Sequence, residues 1–492
     1  AVEKCKTEFG FEMEVIRLPE APRSTRPYDE ATWQEIDRLG RDVDKRLTAA
    51  DIRLTMGGEP TFVSIDDFDG AEWNTEAMGP TKKKLAHQLL MRLRERFAPG
   101  GALHHGQGKQ YPGESLPRWA FQCVWRNDGE PVWRDPALYA GESPTNRLTI
   151  SDAEGFLRRL SRHLDVDAGC ALPGYEDVWY WMWRERRLPI NVDPHESNLA
   201  EEEERARIAR VFDRGLKDTV GYALPLRHNG SGWESGKWLL RRELLYLYPG
   251  DSPMGYRLPL DSLPWAAPGD IPTDYPIDPL VVREPLPPRR QSRPVDGKRP
   301  AASAPATEPL PAHMVRTAMC FEVRDGMLNL FLPPLQRAEQ WLDLVGCIEE
   351  TAKETGIPVR MEGYPPPRDP RLSSFAITPD PGVIEVNIHP SASWQELSDK
   401  TNILYEEARN CRLGTEKFLI DGRLAGTGGG NHITMGGAVP QDSPFLRRPD
   451  LLKSLVGYWL SHPSLSYAFS GLFIGPTSQA PRLDEARMDS VH

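Results

Sequence analysis

The residues best suited to chemistry lie in the stretch GTGGGNHITMGG, residues 426–437. A phosphate-binding P-loop has a Lys and then a Ser or Thr directly after its last glycine, whereas Asn431 and His432 follow here. The glycine spacing also fails the dinucleotide-binding fingerprint G-x-G-x-x-G. The stretch therefore predicts a flexible loop that presents an amide and an imidazole, with an ordinary glycine-rich hairpin connection as the alternative.

A second candidate set lies in the stretch GVIEVNIHP. Alternation along a strand predicts that one face carries Val383, Glu385, Asn387 and His389 and that the other carries Ile384, Val386 and Ile388. These ligands suit a hard cation and a nucleotide, although an ordinary solvent-facing strand has the same pattern. Glu59 in LTMGGEPTFV is another candidate ligand, because the two glycines before it let a substrate approach the backbone closely.

A third cluster is LHHGQGKQYPGESLPRW, which is polar and interrupted by Gly and Pro, so it predicts a loop outside the core. Such a loop either lines a binding site or is simply exposed. Its polar side chains are His104, His105, Gln107, Lys109, Glu114 and Arg118. Elsewhere, Arg371, Arg447 and Arg448 carry planar guanidinium groups that suit carboxylate or phosphate recognition.

The composition limits the class of protein. A chain of 492 residues allows two or three domains, or one large domain with insertions. A hydrophobic fraction of 39% excludes wholesale disorder, and no apolar run is long enough to span a bilayer. The formal net charge of -11 argues against a general nucleic-acid or anionic-membrane partner. Six dispersed cysteines without a C-x-x-C pair favour a reducing compartment, so we expect a soluble, cytoplasmic protein.

Proline divides the chain. Residues 267–313 are rich in proline and predict an extended, disordered linker between two halves, residues 25–266 and 314–492. Residues 1–24 are expected to be a strand or linker from an upstream region. The chain opens without a signal-like segment and stops abruptly, so we expect a fragment of a longer protein that is incomplete at its C-terminus.

Local patterns predict the elements that must position the candidate residues. Helices are predicted after GPTKKK, from a capping box at Ser151, from LQRAEQ to Gly356, from Ser393 to about Arg412, and around PDLLKSLVGYWLSH. Strands are predicted on both sides of the Gly-Gly turn in DIRLTMGGEPTFVSID, at YEDVWYWMWRERRLPINV, and as a hairpin about Asp325-Gly326. The tryptophans of the second segment are predicted to pack in the core, with stacking on a sugar or base as the alternative. Frequent hairpins without strict strand–helix alternation predict an α+β fold on an antiparallel sheet.

Several long stretches together resemble the bacterial amidoligase family, a domain that commonly follows a transglutaminase-like domain. They include LTMGGEPTFVSIDD, EWNTEAMGPTKKKLA, FAPGGALHHGQGKQYPGESLPRW, PGVIEVNIHPSASWQEL, LGTEKFLIDGRLAGTGGGNH and SGLFIGPTSQAPRLDEAR. The resemblance runs from about residue 25 to the end, interrupted by the Pro-rich segment. One departure is Gln110, where the family is expected to have Trp.

The resemblance implies the fold of the glutamine synthetase and glutamate-cysteine ligase superfamily, with helices on one side of an antiparallel sheet. It implies a ligase that uses ATP and Mg²⁺, in which a carboxylate forms an acyl phosphate and an amine then displaces phosphate. The implied partners are small-molecule or peptide acids and amines, with a transglutaminase-like domain upstream and no nucleic acid or membrane. The alternative is a non-catalytic nucleotide- or peptide-binding module beside an upstream transglutaminase-like or protease domain.

The resemblance also implies roles for single residues. Glu59 and Glu385 correspond to Mg²⁺ ligands, His432 to a metal or phosphate ligand, and Arg482 to a carboxylate or phosphate contact, so the candidate catalytic residues are Glu385, His432 and Arg482. The candidate nucleotide-binding residues are Gly428, Gly430, Asn431, Lys109, Arg447 and Arg448. The stretch FGFEMEV resembles the first strand of the superfamily, which makes Glu12 and Glu14 alternative ligands in place of Glu59.

Overall fold

A computed structural model of the chain describes residues 29–111, 114, 116–141, 147–186, 211, 215–269, 271, 277–278, 280–289, 311–418, 424–427 and 434–462. Within these ranges the strands, numbered in chain order, are β1 Thr55–Gly57, β2 Thr61–Ser64, β3 Ala102–Gln107, β4 Trp119–Arg126, β5 Leu172–Glu176, β6 Gly221–Pro225, β7 Arg227–His228, β8 Trp233–Glu234, β9 Leu245–Leu247, β10 Ala318–Arg324, β11 Met327–Leu332, β12 Val359–Gly363, β13 Leu372–Asp380, β14 Val383–Asn387, β15 Leu413–Gly414, β16 Glu416–Phe418, β17 Leu424–Gly426 and β18 Thr434–Gly436.

The α-helices in the same ranges are α1 Glu30–Ala49, α2 Pro80–Phe97, α3 Ile150–Leu164, α4 Val178–Glu185, α5 Ala338–Thr355, α6 Trp394–Asn410, α7 Pro444–Arg447 and α8 Pro449–Ser461. In the described part of the chain, none of them combines the length and the apolar character needed to cross a bilayer.

Twelve strands form one sheet in the order β15-β2-β14-β13-β4-β3-β12-β11-β10-β6-β5-β9. Neighbouring strands are antiparallel except in the pairs β3–β12, β11–β12 and β5–β9. Strands from before and after the Pro-rich segment lie side by side, since β4 pairs with β13 and β6 pairs with β10. The mostly antiparallel sheet with packed helices confirms the predicted α+β class.

Helices cover both faces of this sheet, so the prediction that they lie on one side is wrong. On β4, Phe121 and Cys123 pack with residues of α2 and α6, whereas Val124 packs with residues of α3 and α5. Successive residues of a strand point to opposite faces, so the two helix pairs lie on opposite sides. The reason is that β11 is buried along its whole length, and a strand that is apolar on both faces must be covered on both.

The local predictions are confirmed where a turn or cap residue marks a boundary. Asp325 and Gly326 have φ angles of 54° and 76° and join β10 to β11 as the predicted hairpin turn. Gly356, with a φ angle of 66°, ends α5, and Ser393 caps α6. The predicted capping box is displaced by two residues, because Thr149 and Asp152 form it at the start of α3.

The Trp-rich segment is a helix, not the predicted strand. The side chain of Asp177 caps α4 by accepting a hydrogen bond from the amide of Tyr180 at 3.1 Å. Helical spacing buries Trp181, whose Nε1 donates to Glu176, but leaves Trp179 79% exposed. The predicted core position is therefore right for Trp181 and wrong for Trp179, because the cap outweighs the preference of aromatic residues for strands.

The polar cluster at residues 103–119 is a strand in its first part, not a loop. His104 and His105 belong to β3, in the middle of the twelve-stranded sheet. His104 is buried, and burial lowers its pKa to about 4, so the imidazole is neutral and can be enclosed. Only the residues from Gly108 onward leave the sheet, as the sequence predicts.

Part of the Pro-rich segment is packed against the fold. Within residues 280–289, Arg283 pairs with Asp369, and Arg289 pairs with Glu349 on α5. This part is therefore not the free tether that its proline content predicts, because its arginines find carboxylate partners on the folded body. The predicted boundaries of the two halves stay predictions.

Candidate functional site

Glu59 lies in an extended stretch between β1 and β2. These strands do not form the predicted hairpin, because β1 pairs with β18 while β2 pairs with β14 and β15. The carbonyls on either side of Glu59 accept hydrogen bonds from the amides of Ile388 and Val386, at 3.2 and 2.9 Å. These bonds continue the register of β2 with β14, which places Glu59 opposite Asn387.

Glu385 lies on β14 directly opposite Thr61, on the face of the sheet away from α2 and α6. The aliphatic residues on either side of it pack against those helices, which fixes the direction of its side chain. Its Oε2 accepts a hydrogen bond from Thr378 Oγ1 at 3.3 Å, and Thr378 Oγ1 accepts one from Asn387 Nδ2 at 3.3 Å. Asn387, Thr378 and Glu385 therefore form a chain of hydrogen bonds on this face of the sheet.

The Glu59 and Glu385 side chains form a hydrogen-bonded acidic pair. Burial, the charges of Glu59 and Asp380 and the hydrogen bond with Glu59 together raise the pKa of Glu385 to about 7, and the charge of Lys109 opposes them. Two carboxyl groups this close ionise together only when a cation compensates their charge. The chain thus brings together the two carboxylates that the sequence analysis selected as metal ligands.

The described residues on either side of the glycine-rich stretch lie next to this pair. Thr427 is buried, and its Oγ1 is 2.6 Å from Oγ1 of Thr61, the residue opposite Glu385. On the other side, Thr434 pairs with Gly57, two residues before Glu59. Both anchors of the stretch are therefore on the segment that carries Glu59.

Several predicted site residues lie outside the described residues, namely Gly428, Gly430, Asn431, His432 and Arg482, together with the alternatives Glu12 and Glu14. Their roles stay predictions. Among the described residues, no group of three or more His, Cys, Asp or Glu side chains is arranged to hold a metal. The acidic pair still fits Mg²⁺, which proteins commonly bind through one or two carboxylates while water and substrate phosphates complete the octahedron.

Lys109 lies at the exposed base of the loop that follows β3, and its charge acts on Glu385. The amide of Arg118 donates to the Lys109 carbonyl at 3.0 Å and closes the loop. The Arg118 guanidinium is held between Glu114 and Asp380, at 2.7 and 2.5 Å. Arg118 therefore positions Lys109 through its backbone amide. Two carboxylates already balance the charge of the Arg118 guanidinium.

A buried lysine, Lys82, stabilises the backbone near Asp380 and Glu385. Lys82 is fully buried in the first turn of α2, and its Nζ donates to the carbonyls of Glu76, Ala77 and Asp380 at 3.0, 2.9 and 3.0 Å. Burial lowers its pKa to about 8. One of these bonds ties α2 to the end of β13, where the charge of Asp380 acts on Glu385, and the other two hold the segment just before the helix.

The remaining candidate arginines are placed elsewhere. Arg447 and Arg448 are exposed where α7 meets α8, and Arg448 pairs with Asp450 at 2.5 Å. Arg371 pairs with Asp369 and with Glu339 of α5, so it links the sheet to a helix. Nucleotide binding by Arg447 and Arg448, and carboxylate or phosphate recognition by Arg371, stay predictions.

His389 does not share the face of Glu385, so that prediction is wrong. It packs edge-on against Phe97 and Trp125, with ring centres 5.1 and 4.9 Å away, on the side of the sheet covered by α2. Burial lowers its pKa to about 4. Alternation fails because β14 ends at Asn387, two residues earlier.

The sequence analysis missed residues whose importance depends on pairing between distant segments. Thr61, Thr378, Thr427 and Asp380 surround the acidic pair only because of the β2–β14–β13 register. No spacing in the sequence marks them. One signal in the sequence could have found some of them. Because Glu385 lies on one face of an alternating strand, the residues beside it on the partner strands are expected to be polar.

The chain belongs to the family described as "Putative amidoligase enzyme (DUF2126)", whose model matches residues 3–492. Comparison with curated proteins and with solved structures found no match. The family description names an enzyme that forms amide bonds, which agrees with a ligase.

Proposed function

We propose that this amidoligase family member joins a carboxylate and an amine in a reaction that depends on ATP and Mg²⁺ and passes through an acyl phosphate. The observation that carries the proposal is the hydrogen-bonded pair of Glu59 and Glu385 beside the anchors of a glycine-rich stretch. Perturbed carboxyl groups with a nearby cation are typical of functional sites.

The chemistry of the site fits Mg²⁺ and a triphosphate. Glu59 and Glu385 would bind the metal, and Thr378 and Asn387 would hold the Glu385 carboxylate in place through their hydrogen bonds. A bound Mg²⁺ ion would neutralise charge on the transferred phosphoryl group. Lys109 would contact the phosphates, because it is exposed and its charge acts on the same carboxylate.

The proposed reaction has two steps. A carboxylate oxygen of the acid substrate forms a bond to the γ-phosphorus of ATP, and the bond from that phosphorus to ADP breaks. The amine nitrogen then attacks the acyl carbon, phosphate leaves with one of the original carboxylate oxygens, and the amine loses a proton. In both steps the chain orients the reactants and compensates charge.

The residues outside the described ranges complete the proposal. We assign His432 and Asn431 to the metal or phosphates, Gly428 and Gly430 to close approach of the substrate, and Arg482 to a carboxylate or phosphate. Supporting this, Thr427 and Thr434 are anchored beside Glu59. The glutamine synthetase-like fold and an upstream transglutaminase-like domain belong to the same proposal.

The test follows oxygen from the acid to phosphate. The protein is incubated with Mg-ATP and a panel of ¹⁸O-labelled amino acids and short peptides as acids, with unlabelled amines. We expect one ¹⁸O atom in each phosphate released. Glu385→Gln should lower turnover about a hundredfold or more and abolish Mg²⁺-dependent ATP binding.

Glu130→Gln is the matched control, because Glu130 is an exposed carboxylate in the turn after β4. It should retain binding and turnover. Phosphate that carries no label would contradict the acyl phosphate. Mg-ATP binding without turnover for any acid and amine would favour the non-catalytic nucleotide-binding module.

A further inference from the structure

A small cleft borders the turn between β13 and β14. It is lined by Val63 and Ser64 at the end of β2, by Asp67, Phe68, Trp73 and Asn74 from the segment that follows, and by Lys417 on β16. The Asp67 carboxylate accepts hydrogen bonds through Oδ1 from the amides of Asp69 and Gly70, at 3.2 and 2.8 Å. A Cβ atom on Gly382 in the turn would lie 2.7 Å from the Asn74 carbonyl oxygen and 3.0 Å from Lys417 Nζ. The turn therefore approaches the lysine closely because residue 382 is glycine.

Most polar groups in this cleft already have partners within the chain. Ser64 Oγ accepts hydrogen bonds from the amides of Asp66 and Asp67, both at 3.2 Å. Asn74 Nδ2 donates to the carbonyls of Phe68 and Gly70, at 2.8 and 3.1 Å. These bonds hold the walls of the cleft in place and leave other groups to meet a ligand.

Two donors in the cleft lack acceptors among the described residues. Trp73 is 1% exposed, yet its indole N–H has no hydrogen-bond acceptor there. Lys417 is partly buried, burial lowers its pKa, and no carboxylate in the described ranges pairs with it. A buried donor without an acceptor is rare in folded proteins and indicates a missing partner. An ammonium and an N–H donor that line the same cleft match an anionic oxygen group.

The cleft belongs to the same electrostatic region as the acidic pair. The charge of Lys417 acts on Lys82, whose Nζ contacts the carbonyl of Asp380, and the charge of Asp380 acts on Glu385. Lys82 and Arg118 are occupied by carbonyls and carboxylates, as described above. Among these cations, only the side-chain ammonium groups of Lys109 and Lys417 have no hydrogen-bond acceptor in the described part of the chain.

We propose that Lys417 and the indole N–H of Trp73 bind an anionic oxygen group of a substrate, either a phosphate of the nucleotide or the carboxylate of the acid. The identity of the ligand as a substrate rests on the proposed function, whereas binding of the anion does not require turnover. Lys417 thus supplies positive charge beside the β13–β14 turn, in addition to the charge of Lys109.

The experiment measures protection of Lys417 from an amine-reactive acylating reagent at pH 8, with modified peptides quantified by mass spectrometry. Pyrophosphate and glutarate are the probes, each added separately with and without Mg²⁺. We expect one of them to slow Lys417 labelling about tenfold or more, while labelling of the exposed Lys84 does not change. Protection by pyrophosphate identifies a phosphate site, and protection by glutarate identifies the acid site.

Variants test the same site by calorimetry. Lys417→Met should weaken binding of the protecting anion about tenfold or more, Lys417→Arg should retain most of the affinity, and the exposed control Lys45→Met should bind normally. Trp73→Phe keeps most of the ring volume and should weaken anion binding by removing one donor. Failure of both anions to protect Lys417, or unchanged anion affinity in Lys417→Met, would overturn the inference.

The two proposals fail in different ways. If an anion protects Lys417 but no acid transfers ¹⁸O to phosphate, the anion site in the cleft is supported and the proposed ligase reaction is contradicted. If Lys417→Met shows normal ¹⁸O transfer and normal substrate affinity, the ligase reaction is supported and the proposed anion site in the cleft is contradicted.

Discussion

Glu59 and Glu385 are hydrogen-bonded to one another, although more than three hundred residues separate them in the chain. Burial and the neighbouring negative charges raise the pKa of Glu385 to about 7. Its carboxyl group therefore changes charge near neutral pH, and a cation that binds the pair competes with a proton.

Binding of Mg²⁺ should depend on pH across the neutral range. Because the metal needs the deprotonated pair, the apparent Mg²⁺ affinity should rise roughly tenfold from pH 6 to pH 8, as expected for one competing proton with a pKa near 7. Calorimetry at pH 7 in buffers of different ionisation enthalpy should detect proton release. Binding heats that are independent of the buffer would contradict the assignment.

Glu385→Gln should stabilise the metal-free protein at high pH. The folded state raises the pKa of Glu385, so its neutral form stabilises the fold below the unfolded-state pKa, and this contribution is lost as pH rises through about 7. At pH 8 with EDTA, the variant should be more stable by about 1 kcal/mol, less than the full linkage value because the carboxyl keeps some hydration.

Urea denaturation at pH 8 and near pH 4.5 measures this effect, and the difference between the two proteins should shrink at the lower pH. Glu130→Gln, at an exposed carboxylate, should leave stability nearly unchanged at both values. A variant that is less stable than wild type at pH 8 would show that ionised Glu385 supports the metal-free fold.

Two neighbouring charges should shift the proton affinity of Glu385 in opposite directions. Asp380 raises its pKa and Lys109 lowers it, so Asp380→Asn should move the pH midpoint of Mg²⁺ binding down and Lys109→Met should move it up. Circular dichroism checks that both variants fold. Shifts of the same sign would mean that these charges do not act on the metal site directly.

Lys82 should contribute strongly to stability. Lys82→Met leaves three carbonyls without their donor, so we expect a loss of about 2–4 kcal/mol in the free energy of unfolding. Lys84→Met, at an exposed position of the same helix, should change stability by less than about 0.5 kcal/mol. Equal stability of the two variants in urea would mean that water replaces the ammonium without penalty.

Arg371 should hold the Pro-rich segment against the fold. Its guanidinium pairs with Asp369 and Glu339, and its Nη1 donates to the carbonyl of Glu284 at 2.6 Å. Arg371→Met should therefore accelerate proteolysis within residues 280–310, while the two halves still copurify because their strands share one sheet. Arg368→Met, at an exposed position, is the control. Cleavage of Arg371→Met at the wild-type rate would show that Arg371 does not hold the Pro-rich segment against the fold.

Local elements could be predicted wherever a short-range signal is decisive. The Asp325-Gly326 turn requires two positive φ angles, and Gly356 and Ser393 satisfy backbone groups at helix ends, so neighbouring residues specify these boundaries. Local signals gave the wrong element where two of them favoured different secondary structures. At Trp179–Trp183, aromatic content favoured a strand while the Asp177 cap favoured the helix that forms.

The sequence by itself determined the α+β class, most of the helices and the direction of Glu385 on its strand, because these follow from contacts within a few residues. Only the tertiary structure decided that β2 pairs with β14, and this register places Glu59 beside Glu385. The proton affinity of Glu385 and the placement of the Lys417 and Trp73 donors, which lack acceptors among the described residues, likewise depend on burial among distant segments. Burial and like-charge proximity are properties of three-dimensional packing, so no spacing in the chain encodes them locally.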